Sequence, residues 1–406
     1  MSESIKNTYR SLVLIVSVIA MLFAGIIYAW SILKVPFAVD FGWEAQQLSL
    51  NFTFTMCNFC LGGLLGSFLS RKIGVKFSVL LSALLAGSGM TLTGFLGENS
   101  VAMLYITYAL MAGLGIGIAY NVIISTVSAW FPDKKGFCSG CLMMGFGASS
   151  LVLGNLADLL FKTNLARRGT YMVLGIALFG VLGLTGLILK RPEADTVLPT
   201  VKKKSNGISE AFGQSDYTTS EMLKRFTFWR AFAVIAFATA VGNSVISFAR
   251  DLAISVGAQA ALATTLVGVL AICNGLGRII TGAAFDTLGR RKTMLISIIL
   301  TIVAAAVTLL SVLTSSLPLC IIGLCLTGLS YGTCPPMVIS FVSSFYGQKH
   351  FASNFGVMNC NLIIASFMAT ACSGLRVTFG GYTAPFVALL ILSVAALILN
   401  FTLKRP

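Results

Sequence analysis

The chain has 406 residues, of which 57% are hydrophobic and only 10% are charged, and its mean hydropathy is +0.92. A soluble protein would carry charge on roughly a quarter of its residues, so the composition excludes an ordinary soluble domain. The net charge of +15 falls in short clusters between apolar runs, which argues against a nucleic-acid-binding surface.

Twelve apolar runs are long enough to cross a bilayer as helices. We place them approximately at residues 11–33, 45–69, 77–97, 101–129, 137–160, 170–189, 227–250, 259–284, 293–315, 318–344, 354–377 and 384–402. The first run is too long for a signal-peptide core, so we expect it to be retained. The sequence therefore predicts an all-α membrane protein with twelve transmembrane helices in two six-helix pseudo-symmetric bundles.

Lysine and arginine concentrate in alternate segments between the runs. With both termini in the cytoplasm, most of the 28 basic residues fall on the cytoplasmic side, which is the bias that orients membrane proteins. The inner clusters include Lys6, Arg10, Arg71, Lys72, Lys76, Lys134, Lys135, Lys202, Lys203, Lys204, Arg290, Arg291 and Lys292. We therefore predict a multi-pass protein of the cell (inner or plasma) membrane with both termini cytoplasmic.

The chain divides near its middle and its two halves match each other. The longest polar stretch, 190–226, separates six runs from six, which predicts an N-terminal bundle over 1–189, a cytoplasmic linker over 190–226 and a C-terminal bundle over 227–406. Thr218 and Glu221 have the spacing of a capping box, so a helix should start there. Residues 124–131 resemble 339–346, and 66–76 align with 282–292, at an offset close to half the chain. This indicates an internal duplication, an architecture known among transporters.

One loop carries a specific family signature. Residues 282–292, GAAFDTLGRRK, resemble the loop signature GxxxDxxGRRK of the major facilitator superfamily. The resemblance implies that Asp286, Gly289, Arg290 and Arg291 belong to an inner gate. Asp133 and Lys134, in the loop after the fourth run, are assigned to the same gate. In the first-half copy Arg71 occupies the position of the signature's aspartate.

Further segments point to one branch of that superfamily. Residues 130–136 (WFPDKKG), 274–278 (NGLGR), 330–331 (SY) and 354–356 (NFG) resemble the oxalate/formate antiporter family, which is itself similar to the monocarboxylate transporters. The resemblance implies a small organic anion as substrate. It also implies that Arg278 contacts the substrate carboxylate and that Tyr28 and Tyr331 line a central cavity.

Arg278 is the most informative single residue. It lies about 12 Å from the inner end of the eighth run, at 1.5 Å per residue, and a cation at that depth normally marks function. No acidic residue lies at the same depth in the sequence, so a substrate carboxylate could pair with it. The alternative is a snorkelling or backbone-paired arginine. Asn274, one turn earlier, faces the same way; several monocarboxylate transporters have an aspartate there that acts in proton coupling, which an asparagine cannot do.

Several other polar side chains lie inside apolar runs. They are Tyr28, Tyr120, Asn121 and Tyr331, and each could donate a hydrogen bond to a carboxylate. Interhelical bonding or core packing is the alternative for each of them. The glycine string at 113–117 resembles a phosphate loop only superficially, and we expect it to allow close helix packing.

Two positions bear on substrate charge and coupling. In the oxalate-transporting member of the resembled family, the eleventh run supplies a lysine to the second carboxylate, and the matching position here is Leu362. An apolar wall at Leu362 suits a monoanion. Asp251, at the outer end of the seventh run, is a candidate proton site, with an external ion pair as the alternative.

The sequence thus predicts a secondary active transporter for a small organic anion, a monocarboxylate of the lactate, pyruvate or formate type. It would work by alternating access with proton symport or anion exchange. The alternatives are a dicarboxylate/monocarboxylate (oxalate/formate-type) antiporter and, from another class, a membrane nutrient sensor on a transporter scaffold. We expect no enzymatic activity, no cofactor and no bound metal. The expected partners are the carboxylate, a proton and the lipid bilayer, with the protein as a monomer.

Overall fold

The structure is a computed structural model that describes residues 3–192 and 216–403. The central part of the predicted linker, 193–215, lies outside the described residues, as do Lys202, Lys203, Lys204 and the last residues of the chain. Within the described part, twelve helices are long and apolar enough to cross a membrane, and no strand is found there. The predicted twelve spans are confirmed.

The twelve spans are numbered in chain order. Those of the first half are Thr8–Phe41, Leu50–Lys72, Gly74–Thr93, Val101–Trp130, Lys135–Phe161 and Ala166–Ile188. Those of the second half are Phe226–Ser255, Ala261–Leu288, Arg290–Leu313, Leu317–Tyr346, Phe351–Phe379 and Thr383–Phe401. Each overlaps its predicted range.

The chain forms two compact units. Unit 1 contains Met1–Asp133 and Gly145–Val201, and unit 2 contains Lys134–Met144 and Lys202–Pro406. The start of span five is therefore grouped with unit 2 and its remainder with unit 1. The predicted bundle boundaries at 189 and 227 stay a prediction.

Four spans of the described chain have irregular backbone, which hydropathy did not predict, and in span seven the irregularity is a kink at Phe248. Span one changes from an α-helix to a 3₁₀ segment at Gly25–Ala29 and resumes as Trp30–Leu33 and Val35–Phe41. Span four contains a π-helical segment at Tyr105–Ala112. Span eleven breaks at Cys360, between Phe351–Asn359 and Asn361–Phe379. Such irregular backbone changes which side chains face a neighbouring helix, and it occurs frequently at functional sites.

Glycines let the helices of each unit approach closely. In unit 1, a Cβ on Gly117 would overlap the carbonyl of Phe59, and a Cβ on Gly115 would lie 2.6 Å from the backbone nitrogen of Ala86. The predicted packing role of the 113–117 string is therefore confirmed. In unit 2, a Cβ on Gly277 of span eight would lie 3.2 Å from the Cα of Gly332 in span ten.

The predicted capping box before span seven is also confirmed. The helix Thr219–Lys224 starts at Thr218, whose hydroxyl accepts from the Glu221 N–H at 3.3 Å while the Thr218 N–H donates to the Glu221 carboxylate at 2.7 Å. The Thr218 N–H and then the Thr218 hydroxyl, which also donates to the Glu221 carboxylate at 2.8 Å, lower the pKa of Glu221. A lowered pKa in the folded state means that the cap is retained above the unfolded pKa of the group and is lost only as the pH falls through the folded value.

The close approach at Gly117 predicts a position-specific cost for adding one methyl group. Gly117→Ala should destabilise the protein by about 1–3 kcal/mol, because the new Cβ meets backbone that cannot rotate away. Gly180→Ala in span six is the matched control, since no atom lies within 4 Å of its added Cβ. Thermal unfolding in detergent measures both variants, and equal melting temperatures for the two would contradict this account of the crossing.

Candidate functional site

Arg278 is buried in span eight of unit 2. Its side chain is 3% exposed, and it lies ten residues before the end of the helix at Leu288, about 15 Å along the axis. Its Nε–H donates to Oδ1 of Asn274 at 3.2 Å, and its Nη1 donates to the backbone carbonyl of Met143. The sequence suggested that Arg278 has no partner. The structure gives it two hydrogen-bond partners, and both are neutral.

The bonding of Arg278 leaves one edge of its guanidinium available. Two of the five N–H donors are used, and Nη2 has no hydrogen-bond partner within the described chain. No carboxylate of residues 3–192 and 216–403 forms an ion pair with it. The three remaining N–H groups, two on Nη2 and one on Nη1, can donate to the oxygens of a carboxylate, so the site can accept one anionic group.

Asn274 orients the arginine. It is 9% exposed, and it uses its carbonyl oxygen to hold the Nε–H of Arg278. Its amide nitrogen makes no hydrogen bond within residues 3–192 and 216–403, so it remains a second donor beside the guanidinium. An amide in this position leaves the positive charge of Arg278 in place, whereas a carboxylate would neutralise it.

Polar groups from neighbouring spans surround Arg278. Cys334 of span ten lies near Arg278 and near Thr239 of span seven, and its thiol donates to the Ser330 carbonyl at 3.8 Å. Thr239 in turn donates to Oδ1 of Asn361 at 3.4 Å, directly after the break in span eleven. Tyr331 is 6% exposed and fits against Gly242, where any larger residue would overlap its ring. Unit 2 thus gathers polar groups from four spans.

The site residues predicted in the first half form a separate group within unit 1. The rings of Tyr28 and Tyr120 both contact Phe146 edge-on, with centroids 5.3 and 5.0 Å away. Phe59 completes the cluster at 4.8 Å from Tyr120. Asn121 is 1% exposed and follows Tyr120 on span four. These contacts match the packing alternative as well as a binding role.

Leu362 and Asp251 occupy less distinctive surroundings. Leu362 is half-buried and follows Asn361, so it lies at the break in span eleven. Asp251 is exposed and pairs with Arg376 at 3.3 Å. This is the external ion pair considered as its alternative, and the proton role of Asp251 stays a prediction.

The signature loop holds the start of span five. The carboxylate of Asp286 accepts the N–H groups of Gly136 and Phe137 at 2.9 and 2.8 Å, all within unit 2. First-turn amides of a helix have no partner in their own helix, and a carboxylate there also complements the helix dipole. Gly289 follows with a φ of +78°, which favours glycine. The signature aspartate thus caps the N-terminus of span five.

The remaining gate candidates make different contacts. In unit 1, Asp133 pairs with Arg10, whose Nε–H also donates to the Trp130 carbonyl at 3.1 Å. In unit 2, the guanidinium of Arg290 lies 4.1 Å from the ring centroid of Phe345. Lys134 and Arg291 are exposed. The structure therefore brings Asp286 and Asp133 into defined contacts and leaves Lys134 and Arg291 on the surface.

A second aspartate, absent from the sequence prediction, caps the loop before span eleven. Oδ1 of Asp216 accepts the N–H groups of Gln348 and Lys349 at 2.9 and 3.0 Å. The adjoining Tyr217 is fixed too, because its carbonyl accepts from Asn354 at 3.0 Å. The loop between spans two and three, where Arg71 replaces the signature acid, cannot supply such a carboxylate. Here the carboxylate comes from the residues leading into span seven.

Comparison with known proteins agrees with this architecture. Residues 13–249 and 231–406 match the family model of the Major Facilitator Superfamily. The chain is 26% identical over 368 residues to an uncharacterised MFS-type transporter, YhjX, of Escherichia coli (strain K12), covering 90% of this chain and 88% of that protein. It is 24% identical over 401 residues to the oxalate:formate antiporter of Oxalobacter formigenes, covering 98% and 92%.

Two further proteins are similar. Monocarboxylate transporter 12 of Homo sapiens is 24% identical over 379 residues, covering 88% of this chain and 73% of that protein. The solved structure of the proton:xylose symporter XylE superposes with a TM-score of 0.74 at 12% identity, covering 98% and 97% of the two chains.

The chain belongs to the Major Facilitator Superfamily. It is a multi-pass membrane transporter related to the oxalate:formate antiporter and the monocarboxylate transporters, and not an enzyme. The family resemblance and the fold class predicted from sequence are confirmed.

The caps made by Asp216 and Asp286 predict that each variant loosens only the backbone amides that its own aspartate holds. Asp216→Asn should raise amide hydrogen exchange at 348–349 by about tenfold or more, because a hydrogen bond to a charged group contributes about 1.5–3 kcal/mol. Asp286→Asn should do the same at 136–137 and leave 348–349 unchanged. Hydrogen–deuterium exchange with mass spectrometry reads both loops in each variant. Unchanged exchange at 348–349 in Asp216→Asn would remove the capping role of Asp216.

Proposed function

We propose that the protein transports a small monocarboxylate of the lactate, pyruvate or formate type, with Arg278 as the anchor for the carboxylate. Transport would proceed by alternating access. The observation that carries the proposal is a 97% buried guanidinium whose two bonded partners, Asn274 and the Met143 carbonyl, are both neutral.

The charge of the site favours an anion. A buried cation without a counterion is costly, and a bound carboxylate relieves that cost while filling the available donors. Asn274 supports the same conclusion, because its amide nitrogen can donate to a substrate oxygen while its carbonyl holds Arg278. Thr239, Cys334 and Asn361 add neutral polar contacts to the surroundings of the arginine.

The number of charges favours a monoanion. Within the described residues of spans ten to twelve, Arg376 is the only lysine or arginine, and it pairs with Asp251. A dianion bound at Arg278 would leave one carboxylate buried without a countercharge, which costs several kcal/mol. Leu362 offers an apolar contact at the break in span eleven, which suits a methyl group.

The second candidate is oxalate/formate-type antiport. It is favoured by the oxalate:formate antiporter, which is similar over 98% of this chain. Exchange needs no proton site, and Asn274 cannot titrate. This candidate requires a second cation at the substrate, and substrate competition distinguishes it from the first.

The caps at Asp286 and Asp216 supply the gating part of the proposal. A carboxylate–amide contact can break and re-form without covalent change. Loss of either cap frees the start of a span, so the two aspartates suit latches that open during transport. We further propose that the termini and the basic loops lie in the cytoplasm, on the charge distribution described above.

Arg278→Ala should abolish high-affinity carboxylate binding. Removing one partner of a buried charge pair typically costs about 2–5 kcal/mol, or at least roughly thirtyfold in affinity. Arg278→Lys should also bind poorly, because an ammonium lacks the fork geometry. Binding and uptake of radiolabelled lactate, pyruvate and formate in proteoliposomes test this, with Arg168→Ala, an exposed arginine of unit 1, as control. Wild-type uptake by folded Arg278→Ala would refute the anchor role.

Leu362→Lys should shift preference towards a dianion. Wild type is expected to prefer a monocarboxylate, and the lysine variant to gain oxalate binding relative to formate and lactate, since it adds the second cation. Leu362→Met is the matched control without charge. Competition by unlabelled oxalate, formate, lactate and pyruvate gives the ratio. Tight oxalate binding by the unmodified protein would instead support the second candidate.

Asp251→Asn tests proton coupling at the outer end of span seven. If Asp251 carries the proton, the variant should lose the pH dependence of net uptake and retain homo-exchange. Asp158→Asn is the control, because Asp158 is also an exposed acid paired with a lysine, Lys162, at 2.6 Å. A pH profile identical to wild type would exclude Asp251 from coupling.

A further inference from the structure

Five exposed cations lie together at one end of unit 1. They are Arg71 and Lys72 in the last turn of span two, Lys76 in the first turns of span three, and Lys190 and Arg191 just after span six; we call them the basic patch. None of the five forms an ion pair within residues 3–192 and 216–403. Other cations of the same unit do, because Arg10, Lys162 and Arg167 each pair with an aspartate.

Ordered backbone holds the basic patch together. A Cβ on Gly186 would lie 3.3 Å from the carbonyl oxygen of Lys76, so the end of span six touches the start of span three. The carbonyl of Lys190 accepts the indole N–H of Trp130 at 2.7 Å, and the Ile188 carbonyl accepts the hydroxyl of Tyr9 at 2.7 Å. The cations after span six are thus fixed to the bundle.

The cations of the basic patch repel one another. Partial burial, and then the neighbouring charge of Arg71, lower the pKa of Arg191. Like charges in one patch disfavour each other's charged form, and a bound anion offsets that cost. No carboxylate of residues 3–192 and 216–403 pairs with the patch, which suits it to bind an anion from outside the protein.

The apolar neighbours of the patch indicate the kind of anion. Phe68 of span two, Ile73 between the spans and Phe77 of span three are 53%, 40% and 61% exposed. The Lys72 ammonium lies 5.8 Å from the ring centroid of Phe68, so charge and apolar surface are in contact. A phospholipid combines a phosphate with acyl chains, which matches cations beside phenylalanines that lie on membrane spans, whereas a soluble phosphate has no apolar part.

We propose that the basic patch is a binding site for the headgroup of an anionic phospholipid, in the leaflet at that end of the spans. The phosphate lies between Arg71 and Arg191, and the acyl chains run along Phe68 and Phe77. Juxtamembrane cations attract anionic lipid in general, and the backbone contacts at Lys76 and Lys190 give this patch a defined position. The proposal also accounts for Arg71: the first-half loop has an arginine for lipid where the second-half loop has an aspartate for helix amides.

The test measures lipid binding to the full-length protein and does not depend on the transported substrate. Native mass spectrometry of purified protein titrated with phosphatidylglycerol or phosphatidylcholine gives an apparent Kd for the first bound lipid. The double variant Arg71→Gln with Arg191→Gln should bind phosphatidylglycerol roughly thirtyfold more weakly. Phosphatidylcholine binding should be unchanged.

Two further variants separate the site from general charge and from misfolding. Lys162→Gln with Arg168→Gln removes two cations, one after span five and one in the first turn of span six, and should leave phosphatidylglycerol binding as in wild type. Arg71→Lys with Arg191→Lys keeps the charges and should retain most of the binding. Equal affinity of wild type and the glutamine variant would overturn the proposal, as would an equal loss in the control, or wild-type binding of phosphatidylcholine as tight as that of phosphatidylglycerol.

Discussion

In a hydrocarbon environment every backbone N–H and C=O needs a partner within the protein, because water is not there to supply one. Continuous helices satisfy this requirement along each span, and at helix starts the first amides have no partner in their own helix and need one from elsewhere. The amides of Gly136 and Phe137 meet the carboxylate of Asp286, and those of Gln348 and Lys349 meet Asp216. Asp286 and Asp216, two of the few acidic residues, therefore bind backbone amides.

The use of acids elsewhere determines the character of the site at Arg278. Asp133, Asp158 and Asp251 are engaged with Arg10, Lys162 and Arg376, which leaves no carboxylate of the described chain beside Arg278. Its charge is met by an amide oxygen and a backbone carbonyl, which hold the guanidinium in place without neutralising it. A preorganised, uncompensated cation is what a small anion requires, and the geometry is fixed before the anion arrives.

Hydropathy and charge predict the spans because both are properties of sequence segments: about 20 apolar residues can only cross as a helix, and Arg278 stands out because it interrupts such a run. The capping box at Thr218 and the crossing at Gly117 could be predicted for the same local reason. The partners of Arg278 could not, since the carbonyl of Met143 carries no sequence signal. Asp216 was missed because the repeat pattern places the matching acid at position 71, which is an arginine. The carboxylate that caps residues 348–349 comes instead from the segment before span seven. Thr239, a hydroxyl within the apolar run of span seven, was a signal that could have been used.

The pair Asn274 and Arg278 bears directly on coupling. A carboxylate at position 274 would form an ion pair with Arg278 when empty and would have to be protonated or displaced for an anion to bind, which links transport to a proton. The amide makes the same hydrogen bond to Nε at 3.2 Å but has no proton to exchange and no charge to compete. The anion can then bind and leave without a change of protonation at this position. For the proposed carboxylate transport, this pair favours exchange of one anion for another, unless a group away from Arg278 carries the proton.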